Sequence, residues 1–292
     1  MAIQIVSDTT SYIDPALQRD LNIKLIPLSV HFPDESFLED QVDYDYFYGK
    51  IKKDKVIPTS SQPSVGDFQD FFREIIIAGD DIVAIFISSA MSGTYVNACG
   101  SKKELLDEFP DARIEIIDSC TNCMALGTIV LEAARAAMAN ATVEEVVRAA
   151  LQARNNVDFY FTPSSLEFLR KGGRIGTASA LIGSVLNINP ILTVDMSKGM
   201  THLHARARGS DGAMSIIYDI LANDNEQYGL NTIHVHHISA EDRANEIMEL
   251  LKGKYPDIPI SVCSIGPVIG LHVGPGTVGV VYSTEKAKHV LI

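Results

Sequence analysis

Short β-branched runs separated by amphipathic segments of helical period restrict this chain more than any other feature of its sequence. In the first half the runs cover residues 3–6, 24–30, 82–87 and 114–117, and the helical segments cover 15–22, 44–53, 65–78, 94–109 and 123–138. Strands alternating with helices in this way bury both faces of a parallel sheet, so this half predicts a doubly wound α/β domain. The second half has a different rhythm. A helix over 142–155 and a strand over 158–162 lead into segment 164–170, the turn Lys171-Gly172-Gly173-Arg174 and an apolar helix over 177–186. Runs 190–195 and 200–207, joined through Ser197-Lys198-Gly199, predict a β-hairpin. Helices over 212–222 and 240–253 then separate strands over 232–237, 258–264 and 278–282, an α+β arrangement. The expected organisation is an N-terminal, mostly parallel α/β domain (1–161) and a C-terminal α+β domain (162–292), with a ligand between them. No linker rich in Pro, Gly or Ser marks the boundary, and no internal repeat is present.

A chain of 292 residues with 46% hydrophobic and 21% charged side chains is long and apolar enough for two such domains. Its 37 acidic against 24 basic residues give a net charge of −13. Nucleic acids and anionic membranes need a concentrated basic footprint, so neither is an expected main partner, and membrane contact is at most transient. The densest basic run is only Lys52-Lys53-Asp54-Lys55. The opening Met1-Ala2-Ile3-Gln4-Ile5-Val6 lacks a basic n-region and a long apolar core, so cytoplasmic residence is expected. Residues 175–194 and 258–284 contain no Asp, Glu, Lys or Arg, but Gly, Asn and Pro interrupt both, which suits buried turns and strands better than membrane spans.

Four cysteines are too few for a disulfide framework, and Cys120-Thr121-Asn122-Cys123 has no second pair with which to bind zinc. His202 with His204, and His234 with His236, share strand faces but lack a third ligand; partly exposed strand histidines are the expectation, with no metal and no cofactor.

In an open α/β sheet, ligands bind beyond the carboxyl ends of the strands. The first strand here runs into Ser7-Asp8-Thr9-Thr10, the third into Ser88-Ser89-Ala90-Met91-Ser92-Gly93-Thr94 and the fourth into Asp118-Ser119, while Thr59-Ser60-Ser61-Gln62-Pro63-Ser64 precedes another helix. Such hydroxyls, with backbone N–H groups freed by Gly93, suit a carboxylate or phosphate; each alone is equally a helix N-cap. The least generic segment runs from Gly266 to Gly276. Gly274-Pro275-Gly276-Thr277-Val278-Gly279 matches G-x-G-x-x-G, yet a strand-like Val280-Val281-Tyr282 follows where pyrophosphate binding needs a helix, so a dinucleotide site is rejected. His272, inside this segment, is placed to reach a ligand between the domains. There is no G-x-S-x-G elbow, P-loop or H-E-x-x-H motif. Binding is favoured over catalysis.

These residues resemble the DegV-like bacterial fatty-acid-binding proteins nearly end to end. The resemblance rests on Val6 to Thr10, Ser60 to Ser64 with Asp67-Phe68, Ser88-Ser89 through Ser92-Gly93-Thr94-Tyr95, and Asp118-Ser119. It continues in Leu169-Arg170-Lys171-Gly172-Gly173-Arg174-Ile175, Asn189-Pro190-Ile191-Leu192 and Ile265-Gly266-Pro267 to Gly276. It implies a two-domain protein that holds one long-chain fatty acid and presents its carboxylate to a separate ATP-dependent fatty acid kinase, which makes an acyl phosphate for phospholipid synthesis. Carried over by motif, Ser60, Ser92 and His272 hold the carboxylate, with Ser61, Gly93 and Thr94 beside them and no catalytic residue. Arg170, Arg174 and Arg206 are candidates for a basic rim facing the kinase or its ATP. Tunnel walls are expected at 124–130 and 181–188, with Phe161 and Leu166. Two departures stand out: Ser60 where the family usually has Thr, and Cys123 and Ala125 where it often has Ser and Gly, which narrows the space beside that helix. The competing reading is a serine hydrolase of lipid esters using Ser92, His272 and Asp8; a lipid or anion sensor without a kinase is a third.

Overall fold

In a computed structural model, which describes residues 2–181 and 188–291, the first half builds a parallel sheet. Its strands are β1 (Ile3–Asp8), β2 (Ile23–Ile26), β6 (Asp81–Phe86) and β7 (Ile114–Asp118), in the order β2-β1-β6-β7. Helix α1 (Pro15–Asp20) joins the first two strands, and α4 (Thr94–Glu108) joins the last two. The run over 24–30 is not one strand. Pro27 cannot donate to a ladder, and after it the chain enters a small antiparallel sheet of β3 (Ser29–His31), β4 (Ser36–Leu38) and β5 (Thr59–Ser61). Between β4 and β5 lies α2 (Tyr44–Asp54), and α3 (Val65–Ile77) follows β5, opened by a reciprocal Ser64–Asp67 capping box.

Alternation along the parallel strands divides their apolar residues between two cores. Val6, Ala84 and Phe86 meet Phe68, Phe72 and Leu105 of α3 and α4 on one face. Ile5, Val83 and Ile85 meet α5 (Cys123–Met138) on the other, with α6 (Val143–Asn155) behind it. The sheet is doubly wound for this reason.

The second sheet has the order β10-β9-β8-β13-β11-β12, formed by β8 (Val157–Thr162), β9 (Ile188–Asp195), β10 (Met200–Arg208), β11 (Leu230–His237), β12 (Ile260–Ser264) and β13 (Val278–Thr284). It is antiparallel except between β11 and β12. The β9–β10 hairpin turns through Ser197-Lys198-Gly199 as expected. Both neighbours of β8 belong to this sheet, so a division at 161/162 falls inside a strand of the second sheet. Helices α8 (Gly209–Tyr228) and α9 (Glu241–Lys254) cover one face over Ile191, Ile233, Val235, Val280 and Tyr282. The opposite face presents Phe159, Phe161, Leu192 and Val281 to the core that contains α5.

Helix α5 therefore lies between the two sheets, and every residue from Cys123 to Leu131 is buried. A helix covered on all sides needs no polar stripe, which explains its run of Ala, Leu, Ile and Val. Gly127 marks its closest approach: a Cβ there would stand 2.6 Å from the Ser11 carbonyl oxygen. Segment 176–181 is a 3₁₀ helix, not the start of an α-helix, and residues 182–187, most of the apolar wall expected over 181–188, lie outside the described residues. The remaining helices are α7 (Glu167–Lys171) and α10 (Pro267–Val273).

Candidate functional site

Beyond the carboxyl ends of β5 and β6 lies a cavity enclosing about 870 Å³ of space free of protein atoms, its open mouth included. Its walls come from both halves of the chain: Leu28, Ile87 and Met91 from the first, Phe159, Phe161, Leu169 and Val194 from the second, and Ile265, Val268 and Ile269 around the start of α10. Polar side chains line it as well, Ser60, Ser92, Arg174 and His272 among them.

His272 reaches the site because α10 is held against the first half of the chain. The buried Glu39 carboxyl group accepts hydrogen bonds from the Val268 N–H at 2.9 Å, the Tyr12 hydroxyl at 2.8 Å and the Thr9 hydroxyl. The Tyr48 hydroxyl donates to the Ile265 and Gly266 carbonyls at 2.9 and 3.1 Å. This close approach requires glycine: a Cβ on Gly270 would fall 1.9 Å from the Tyr48 oxygen. The strand-like segment after Gly276 is β13, so no helix follows the G-x-G-x-x-G match.

The His272 Nε2 lies 3.0 Å from the Ser60 hydroxyl, and its Nδ1 is buried without a hydrogen-bond partner among the described residues. Burial, with the Arg174 guanidinium nearby, pushes its pKa down to about 4, so the ring is neutral at pH 7. Arg174 donates from Nε to the Met91 carbonyl at 3.1 Å and from a terminal nitrogen to the Gly172 carbonyl at 2.5 Å. Ser92 stands before α4 with its hydroxyl 2.8 Å from that of Thr94. A buried Thr94 that donates to Ser92 leaves the Ser92 hydrogen free to point elsewhere. The arrangement offers two hydroxyls and a neutral imidazole to one anionic group, beside a fixed guanidinium.

Other expected site residues fall elsewhere. The hydroxyl of Ser61, one residue along β5, is directed away from Ser60 and lies 2.8 Å from His31 Nε2. Thr94 supports Ser92 without lining the cavity, and Gly93, the N-cap of α4, packs against the Gln62 side chain. Arg170 and Arg206 are exposed, on α7 and β10, and neither lines the cavity. Of the expected walls, Phe161 lines it, whereas Leu166 and residues 124–130 do not: α5 turns those residues into the packed core between the sheets, and its first residue, Cys123, lines the cavity instead.

Asp8 is committed to structure. Its carboxylate accepts from the Ile87 N–H at 2.8 Å, the Thr10 N–H at 3.0 Å and the Thr10 hydroxyl, and complete burial raises its pKa to about 6. The Ser92–His272–Asp8 triad is therefore not assembled: Ser92 meets Thr94, His272 meets Ser60, and Asp8 meets neither.

Two residues stand out whose positions the sequence does not give. Glu39 sits in an ordinary acidic stretch, and nothing in its neighbours marks it as buried. His236 is buried and lines the cavity, contrary to the expected partly exposed position; the alternation in His234-Val235-His236 gives its face but not its depth. Among the described residues no group of three or more His, Cys, Asp or Glu stands close enough to hold a metal ion, and no helix is long and apolar enough to cross a membrane.

Fold and site define a class: an α/β protein of two large sheets and one small one, with a largely apolar cavity whose polar lining includes two hydroxyls, a neutral imidazole and a guanidinium. The model of the DegV family, a family of uncharacterised proteins, matches residues 2–285. A DegV domain-containing protein of Clostridium acetobutylicum is 44% identical over 286 residues, covering 98% of this chain and 99% of its own. DegV of Bacillus subtilis, solved as a fatty acid binding protein, superposes with a TM-score of 0.85 at 30% identity, covering 97% of this chain and 99% of its own. A DegV-family protein of Thermus thermophilus, described by its fatty acid binding, gives 0.86 at 28% identity, covering 97% and 100%. The chain belongs to the DegV family.

Proposed function

We propose that this protein binds one long-chain fatty acid in the cavity between its sheets, with the carboxylate held by Ser60, Ser92 and His272. The single observation that carries this reading is a mainly apolar cavity lined by the paired Ser60 and His272 and by the Ser92 hydroxyl. Each buried methylene contributes about 0.8 kcal/mol, so the walls supply affinity and the polar end sets orientation. The fatty-acid-binding relatives from Bacillus subtilis and Thermus thermophilus support the same ligand class.

On this reading the protein is a cytoplasmic carrier that presents the carboxylate to a separate ATP-dependent kinase and performs no chemistry alone. Arg174, at the cavity, and the exposed Arg170 and Arg206 form the basic rim offered to that kinase. The division of the chain that keeps the second sheet whole lies ahead of β8.

The test is denaturing extraction of the purified protein followed by lipid mass spectrometry, alongside a native intact mass. Near-stoichiometric fatty acid is expected. A protein that is empty and also takes up no added fatty acid would refute the reading. The Ser60–His272 contact alone leaves a hydrolase to be tested, and covalent labelling of either Ser60 or Ser92 by a fluorophosphonate would revive it; an unshifted intact mass is expected.

A further inference from the structure

His236 is a polar side chain of the cavity wall that the carboxylate site does not use. His236 on β11 stands opposite Gly279 of β13, which stands opposite Phe161 of β8, so the three share the sheet face that looks toward α5. Gly279 leaves room there: a Cβ at that position would come within 2.7 Å of the Phe161 Cβ. The His236 ring packs edge-on to Phe159 with centroids 5.1 Å apart, is 3% exposed and lines the cavity. Neither of its ring nitrogens has a hydrogen-bond partner among the described residues. The neighbouring His234 differs, since its Nδ1 lies 2.8 Å from the Ser261 hydroxyl.

Burial, reinforced by His234 and His237, holds His236 uncharged by pushing its pKa well below 6.5. A neutral imidazole has one N–H donor and one lone-pair acceptor, and leaving both unpaired among Phe rings is costly. A leucine or phenylalanine would fill the same wall without that cost. A saturated hydrocarbon chain offers the ring nothing; a hydroxyl offers both a donor and an acceptor.

We propose that the cavity is built for an acyl chain bearing a hydroxyl group along its length, a hydroxy fatty acid whose hydroxyl hydrogen-bonds His236. This rests on the fatty-acid reading above and narrows its substrate class. The carboxylate at Ser60, Ser92 and His272 fixes one end of the ligand, so the distance from there to His236 selects the position of the hydroxyl on the chain.

The experiment displaces a fluorescent fatty acid from the delipidated full-length protein with stearic acid and with a series of hydroxystearic acids differing in hydroxyl position. At least one isomer is expected to bind more tightly than stearate by about fivefold or more, with isomers hydroxylated elsewhere binding more weakly than stearate. In His236→Phe the preferred isomer should lose its advantage while stearate binds as well as or better than before. Should that variant fail to fold, the positional series on the unaltered protein decides alone. Stearate binding at least as tightly as every isomer overturns this inference and leaves the fatty-acid reading standing; failure of all the acids to bind overturns both.

Discussion

Two hydroxyl-rich strand ends in this protein have nearly the same composition and different surroundings. At the end of β1, Ser7 donates to the Ile85 carbonyl at 2.8 Å, and Thr10 and the Ile87 N–H satisfy Asp8. Every one of these bonds ties β1 to its own turn or to β6. On β5 and beyond β6, the Ser60 hydroxyl pairs with the His272 ring, the Ser92 hydroxyl pairs with the hydroxyl and the N–H of Thr94, and both serines line the cavity. The difference lies in the surroundings: Ser7 and Thr10 are wholly buried and bonded within the sheet and its turn, whereas Ser60 and Ser92 line the cavity, where a ligand can take up a hydrogen bond.

The sharpest way to break this contrast is to exchange the consequences. Asp8→Ala strands two buried N–H groups and a hydroxyl, and an unmet buried donor costs about 1–3 kcal/mol, so the expected loss is about 3 kcal/mol or more. Urea denaturation should show it as a lower midpoint, with ligand stoichiometry unchanged in the molecules that remain folded. Loss of ligand without loss of stability would place Asp8 in the binding site instead.

Ser92→Ala and His272→Ala should do the reverse. Hydrogen bonds to a charged group contribute about 1.5–3 kcal/mol, so each variant should bind fatty acid roughly 10- to 150-fold more weakly, with little change in the ligand-free melting temperature. Titration calorimetry with the two variants checks this, and unchanged affinity in both would remove the assigned carboxylate site.

A smaller effect concerns the anchor that positions α10. Burial raises the Glu39 pKa from its ordinary 4.5 to about 7. The folded carboxyl keeps its proton where the unfolded one has lost it, so the contribution to stability is full below pH 4.5 and is lost as pH rises through about 7. Glu39→Gln, which retains an acceptor for Val268, should lack that decline and gain upwards of about 1 kcal/mol on the unaltered protein across the window. Parallel pH dependences for the two proteins would contradict a buried, proton-retaining Glu39. The lowered pKa of His272 works in the opposite direction between about 4 and 6.5 in both proteins, and so cancels in the comparison.

Much of this architecture is legible in the sequence because it is written in periods. Alternation in β1 and β6 separates two cores, and the all-apolar face of residues 123–131 suits a helix enclosed between sheets. Ser60, Ser92 and His272 can be read as neighbours only through ordered motifs, since residues 60 and 272 are joined by no local pattern. What stays hidden depends on distant contacts. The segment from Gly266 carries a Pro and an internal Gly, weak helix signals, and α10 forms where Tyr12, Tyr48 and Glu39 satisfy its first turn. The break at Pro27, by contrast, is a local signal that β-branched neighbours on both sides obscure. Depth is the other hidden quantity: His234 and His236 share a strand face, yet one meets a serine and the other, in the cavity wall, has no hydrogen-bond partner among the described residues.

The central claim is that the polar groups at one end of the cavity receive a fatty acid carboxylate. A crystal structure of the protein with a bound long-chain fatty acid tests it most directly. The account predicts carboxylate oxygens within hydrogen-bonding distance of the Ser60 and Ser92 hydroxyls and the His272 ring, with the chain running along Phe159 and Phe161. A carboxylate placed away from these three side chains, or a fatty acid bound outside the cavity, would contradict it.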